Sequence, residues 1–235
     1  MSELVSGRRN LLALAGAAGL GLAFAARPAV AKDKERKVGA VEDLMREHGV
    51  IRRTLLVMWE SAPGLRASAA NVDPGALNRA AKLLRSFGED YHERMLEEAY
   101  IFPAVKKIGG LAALLADTLK QQHDRGREIT DYILAVTGKG AVGTGETEPL
   151  TRAFETLYLM YANHAAREDT IVFPAWQNGI SDQQLAEMGE KFEEIEHKQF
   201  GKDGFDSAVA QIAAIEGTLG ASDLAKFTAP SPPKA

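Results

Sequence analysis

Residues of two chemical kinds recur along the chain in one order. His48 stands alone, His92 precedes Glu97, His123 stands alone, and His164 precedes Glu168. Neutral imidazole and ionised carboxylate are ligands that suit iron, zinc and manganese. The 235 residues contain five histidines, and four fall in this pattern. Cysteine is absent, which excludes disulfides, thiolate nucleophiles and all-Cys metal or iron–sulfur sites. Any metal would be held by nitrogen and oxygen. Both His–Glu pairs run into an aromatic–proline step, Ile101-Phe102-Pro103 and Val172-Phe173-Pro174. Glu97 and Glu168 are 71 residues apart, as are Pro103 and Pro174, while His48 and His123 are 75 apart, as are Arg52 and Arg127. Matched spacings of this kind describe two copies of one helical hairpin.

Such residues do chemistry together only if helices aim them at one place. Leu157, Tyr161, His164, Glu168 and Ile171 step by three or four and share a face. Leu115, Leu119, His123, Thr130 and Ile133 do the same, as do Leu44, His48, Ile51, Leu55 and Met58. Burying four imidazoles and two carboxylates without compensation would cost several kcal/mol per group, more than a marginally stable domain can absorb. A cation removes that cost because it requires neutral imidazole and ionised carboxylate. The second helix needs an adjustment. His164 and Glu168, four apart, converge to within about 40°, but His92 and Glu97, five apart, diverge by about 140° on an ideal helix. Either a π-bulge absorbs the extra residue or Glu93 replaces Glu97 as the ligand. The repeat favours Glu97 with a bulge, because both glutamates lie six residues before their prolines.

The elements implied are all helical. Periodicity predicts helices over about 41–60, 74–107, 111–137, 149–177 and 181–200, with Asp73-Pro74 opening the second and Ser181 with Gln184 forming a capping box for the fifth. Residues 138–147 are too glycine-rich for regular structure, and "TAPSPPKA" reads as a disordered proline-rich tail. The expected fold is an all-α, up-and-down four-helix bundle made of two αα-hairpins, with a fifth C-terminal helix.

This ordered set of His48, His92 with Glu97, His123, and His164 with Glu168, ending in Phe-Pro, resembles the hemerythrin-like, HHE cation-binding family over about residues 40 to 177. The resemblance implies a non-haem di-iron centre with an oxo or hydroxo bridge. His48, His92, His123 and His164 would be terminal ligands, and Glu97 and Glu168 bridges. Oxygen-carrying members place another histidine one turn after the third helix's first, where this chain has Arg127. Of about twelve positions on two octahedral metals, about two would then stay open for dioxygen, nitric oxide or peroxide. His197 on the fifth helix could fill one, although its acidic neighbours Glu193 and Glu196 suit a solvated face better. No general base, nucleophile or pocket motif singles out a reaction. The alternatives are an iron storage, donation or sensing protein, and a structural zinc or manganese bundle. Arg52 and Arg127 read as surface cations, Tyr161, Trp59 and Trp176 as core, and the Phe-Pro steps as hairpin ends.

Residues 1–31 stand apart from the domain at 39–201 and the C-terminal segment at 202–235. A charged start, an apolar run from Leu11 to Ala26 and Ala29-Val30-Ala31 make a signal peptide, and Ser6-Gly7-Arg8-Arg9 resembles the twin-arginine export signal. The expected location is periplasmic or exported, with membrane contact only through that signal. The remainder has 25 basic and 31 acidic residues, which argues against a nucleic-acid partner.

Overall fold

The computed structural model describes residues 38–201 and 203–233; the signal peptide expected at 1–31 lies outside them. Six helices account for nearly all of the described chain, and no strand occurs among these residues. Helix α1 is Ala40–Ala67. Helix α2 spans 74–108 as one rod made of Pro74–Leu83, a wide π segment at Leu84–Ile101, and Phe102–Ile108. Helix α3 is Gly110–Thr137. Helix α4 spans 144–179, again in three parts: Thr144–Arg167, a π turn at Glu168–Val172, and Phe173–Gly179. Helices α5 and α6 are Asp182–Phe200 and Gly204–Leu219.

Helix α1 packs along α4 and α2 along α3, between the two hairpins, and within each hairpin α1 also touches α2 and α3 touches α4. The result is a helical bundle with one continuous core, from Leu44, Met58 and Leu65 through Phe87 and Ile101 to Phe154, Phe173 and Trp176. Helix α5 crosses α1 and the π segment, and α6 covers α1 and the start of α2. Among the described residues, no helix is long and apolar enough to cross a membrane.

Three local expectations are corrected. Helix α1 does not stop near Glu60: it runs through Pro63 because Ala62 and Leu65, each 1% exposed, stay in the core. Helix α6 was not anticipated in the segment after residue 201. Its glycines and alanines masked the buried stripe Ala208, Ile212 and Ile215, and Asp203 caps it by accepting from the Asp206 amide. Trp59 is 42% exposed rather than core, stacked on Tyr158, whereas Trp176 is buried.

Proline explains where the wide stretch of each long rod ends. Pro103 and Pro174 cannot donate to the carbonyls of Ala99 and Thr170, four residues back, and their rings crowd those carbonyls. The chain answers by opening the ladder. The Phe102 amide donates to the Glu97 carbonyl and the Phe173 amide to the Glu168 carbonyl, five residues back in each case. The wide coil in α2 also supplies the bulge that His92 and Glu97 require. The second widening, just after Glu168, was not foreseen, because His164 and Glu168 already converge on an ordinary helix.

Candidate metal centre

The four histidines and two glutamates of the repeat meet in the interior, where each is at most 3% exposed. Donor atoms of Glu97, His123, His164 and Glu168 lie within 4.8 Å of one another, and so do those of His48, His92 and Glu97. Glu97 therefore belongs to both groups. Its Oε1 is 3.3 Å from His92 Nε2 and 3.9 Å from His48 Nε2, while its Oε2 is 3.3 Å from His123 Nε2. Glu168 spans the same divide. Its Oε2 is 3.0 Å from His164 Nε2 and 3.5 Å from His48 Nε2, and its Oε1 is 4.0 Å from His123 Nε2.

Every imidazole presents Nε2 to the centre and is held from behind through Nδ1. His48 Nδ1 donates to Asp169 Oδ1 at 2.7 Å, His92 Nδ1 to Glu47 Oε2 at 2.6 Å, His123 Nδ1 to Glu98 Oε1 at 3.1 Å, and His164 Nδ1 to Gln122 Oε1 at 2.9 Å. With the proton on Nδ1, each Nε2 keeps its lone pair pointing inward, the arrangement of a metal-ligating histidine. His123 Nε2 and His164 Nε2 face each other at 3.0 Å, so two lone pairs oppose each other unless a proton or cation lies between them.

Hydrogen-bond satisfaction gives a second test of fit. Among the described residues, the buried side-chain atoms without a hydrogen-bond partner are His92 Nε2, both oxygens of Glu97, both oxygens of Glu168, and Arg85 Nε with Glu89 Oε2. The last two face each other 2.8 Å apart as an ion pair. The rest are donors of this one cluster, and leaving such groups unmatched costs several kcal/mol. The donor set fits a cation.

Without one, the groups hold one another in uneven protonation states. Burial lowers the pKa of His48, and burial with the nearby His123 lowers that of His164 well below the usual imidazole value. Burial opposes charge at His92 and His123 as well, but carboxylates outweigh it and raise both well above that value. Glu97 and Glu47 act on His92, and Glu93, Glu97 and Glu98 on His123. Despite its own burial, Glu97 is held low by His92 and His123, whereas burial and the Glu97 charge push Glu168 up.

The Phe-Pro steps do more than end hairpins. The Phe102 ring stacks on His123, with centroids 5.4 Å apart, and Phe173 stacks on His48 at 5.3 Å. Each long rod thus sends a glutamate to the centre, uses the next acid (Glu98 or Asp169) to hold a histidine of the other hairpin, and covers that same histidine with its phenylalanine.

The other sequence candidates fall around this centre. Glu93 is buried but turned aside: its Oε1 accepts from the Tyr161 hydroxyl at 2.6 Å and its Oε2 from Arg127 at 3.2 Å. His197 is exposed on α5 and joins no cluster, because α5 lies over the bundle and its inner face is carried by Phe192 and Glu196. Arg127 is not a surface cation. It is 8% exposed and donates to Glu93, Glu98 and Asp124. Arg52 is more open and pairs with Asp169. Tyr161 packs so closely on α3 that a Cβ on Gly126 would come within 2.0 Å of its hydroxyl. Sequence reasoning missed the Nδ1 partners, although the signal was adjacent: Glu47 precedes His48, Gln122 precedes His123, Glu98 follows Glu97 and Asp169 follows Glu168.

A helical bundle around a buried, back-braced His/Glu cluster defines a metal-binding helical protein. The chain belongs to the family of the hemerythrin HHE cation binding domain, whose model matches residues 39–176. Over 234 aligned residues it is 40% identical to Uncharacterized protein Rv1995 of Mycobacterium tuberculosis (strain ATCC 25618 / H37Rv), covering 94% of this chain and 91% of the relative. The same identity and coverage relate it to Uncharacterized protein Mb2018 of Mycobacterium bovis (strain ATCC BAA-935 / AF2122/97). No solved structure matches it.

Proposed function

We propose that this chain holds two iron ions through His48, His92, Glu97, His123, His164 and Glu168 and binds a small ligand, dioxygen, nitric oxide or peroxide, beside them. The observation that carries the reading is the orientation of the donors. Four Nδ1 atoms are braced, while five inward donor atoms, His92 Nε2 and the oxygens of Glu97 and Glu168, have no hydrogen-bond partner. Glu97 and Glu168 each direct oxygens to both histidine pairs, which suits bridging carboxylates. When bound, the metal pair supplies Lewis acidity and a change of oxidation state to the small ligand.

The surroundings limit what that ligand can be. A cavity of about 10 Å³ adjoins the cluster, lined by Ile51, Arg52, Leu55, Glu93, Tyr161 and Ala165 beside His48, His92, His164, Glu97 and Glu168, room for about one water. Ile51, Leu55 and Ala165 keep bulk water away, and Tyr161 is held in place by its bond to Glu93. An organic substrate does not fit this space. Within this reading α1 to α4 form the up-and-down bundle, and the twin-arginine-like start directs export to the periplasm after the metal has been loaded.

The test is metal analysis of the purified chain with absorption spectra taken with and without dioxygen. About two irons per chain and near-ultraviolet charge-transfer bands that respond to dioxygen are expected. Colourless protein carrying zinc or manganese would replace this reading with a structural bundle. Iron released to a mild chelator without unfolding would favour storage or donation.

A further inference from the structure

The Nδ1 braces follow the repeat as the cluster residues do, with one exception. Asp169 behind His48 and Glu98 behind His123 are counterparts, and both are carboxylates. Glu47 behind His92 and Gln122 behind His164 are also counterparts, each preceding a lone histidine, but one is a carboxylate and the other an amide. An Nδ1–H donated to a carboxylate enriches the ring in electron density and makes Nε2 a better donor to a cation. An amide carbonyl does this less and brings no charge to offset the cation. Glu47 is 1% exposed, its other oxygen accepts from the Tyr91 hydroxyl at 2.9 Å, and no lysine or arginine pairs with it among the described contacts. On the other side Glu93, whose Oε2 is 4.0 Å from His123 Nδ1, gives its oxygens to Tyr161 and Arg127 rather than to an imidazole.

We infer that Glu47 and Gln122 are positioning residues that make the two halves of the centre unequal, so that the His48–His92 half takes its cation first and more tightly and the His123–His164 half holds a weaker, exchangeable one. The inference rests on the metal-centre reading and deepens it. A count of donors in place points the other way, because four are gathered around His123 and His164 and three around His48 and His92. Glutamate side chains close such gaps by rotating when a cation arrives. No rotation gives Gln122 a charge.

The experiment is calorimetric titration of the full chain, stripped of metal by a chelator, with zinc, which binds imidazole and carboxylate without redox change. The wild-type chain should take up zinc in two steps. Gln122→Glu should tighten the weaker step by about tenfold or more and leave the tighter one in place, and Glu47→Gln should weaken the tighter step by a similar factor. A merely structural role would move both steps together. The two variants are read independently, with circular dichroism melts checking each fold, so failure of one to fold leaves the other decisive. Gln122→Glu acting on the tighter step, or both variants shifting both steps alike, overturns the inference while the metal centre stands. A wild-type chain that takes up fewer than two zinc ions overturns both.

Discussion

The two hairpins place the same residues around the centre by different local means. In the second, His164 and Glu168 are four apart on an ordinary helix that opens only over Glu168–Val172. In the first, His92 and Glu97 are five apart, and the rod stays wide from Leu84 to Ile101. The arginines that echo each other differ as well: Arg127 is enclosed by three acids, while Arg52 meets Asp169 near the surface. The constant parts are the inward Nε2 atoms, the glutamates, the acids after them and the stacked phenylalanines. What must be constant is the geometry presented to the centre, and backbone and periphery differ around it.

Removing a shared donor breaks the comparison outright. Glu97→Ala takes a ligand from both halves, so metal content measured by mass spectrometry should fall by about a hundredfold or more, whereas Glu93→Ala should keep most of it. The reverse order would reassign the ligand. The stacked phenylalanines test whether the halves are packed alike: Phe102→Ala and Phe173→Ala should each cost about 3–5 kcal/mol in denaturant unfolding of the metal-free chain. A difference of more than about 2 kcal/mol between them would show that one half carries the core.

Smaller effects separate the arginines. Arg127→Ala leaves buried Glu93 without its arginine and should cost about 3 kcal/mol. Arg52→Ala, whose side chain is 41% exposed, belongs at the bottom of the scale, at about 1 kcal/mol or less. Between the two lies pH. In the metal-free chain His92 and His123 titrate above the usual imidazole value and Glu168 above the usual carboxylate value. Metal uptake must therefore expel protons, and affinity should rise with pH through 6.5 and above, by about 1.4 kcal/mol per pH unit for each proton expelled. Affinity that is flat from pH 6 to 8 would contradict the protonation pattern.

Much of this was legible along the chain. Helical periodicity, the spacings of 71 and 75 residues and the adjacency of His164 and Glu168 are local quantities, and they pointed to an all-helical bundle, to the six side chains that lie together in its interior and to a wide coil between His92 and Glu97. Where reading failed, the deciding contact was remote. Trp59 and Arg127 both sit on amphipathic helices, and only the neighbouring rods leave one exposed and enclose the other. Helix α6 is held by burial against α1 and α2, a contribution invisible in its weak local propensity.

The sequence alone determined which side chains could bind a cation and how many turns separate them, because helical repeat is a property of the backbone. It could not determine which acid stands behind which histidine. Asp169 reaches His48 and Glu98 reaches His123 across hairpins, and such pairings depend on how rods dock, which close packing of their apolar faces decides. Tertiary structure thus turned a list of ligand-type residues into four rings aimed at one point, three braced by carboxylates and one by an amide.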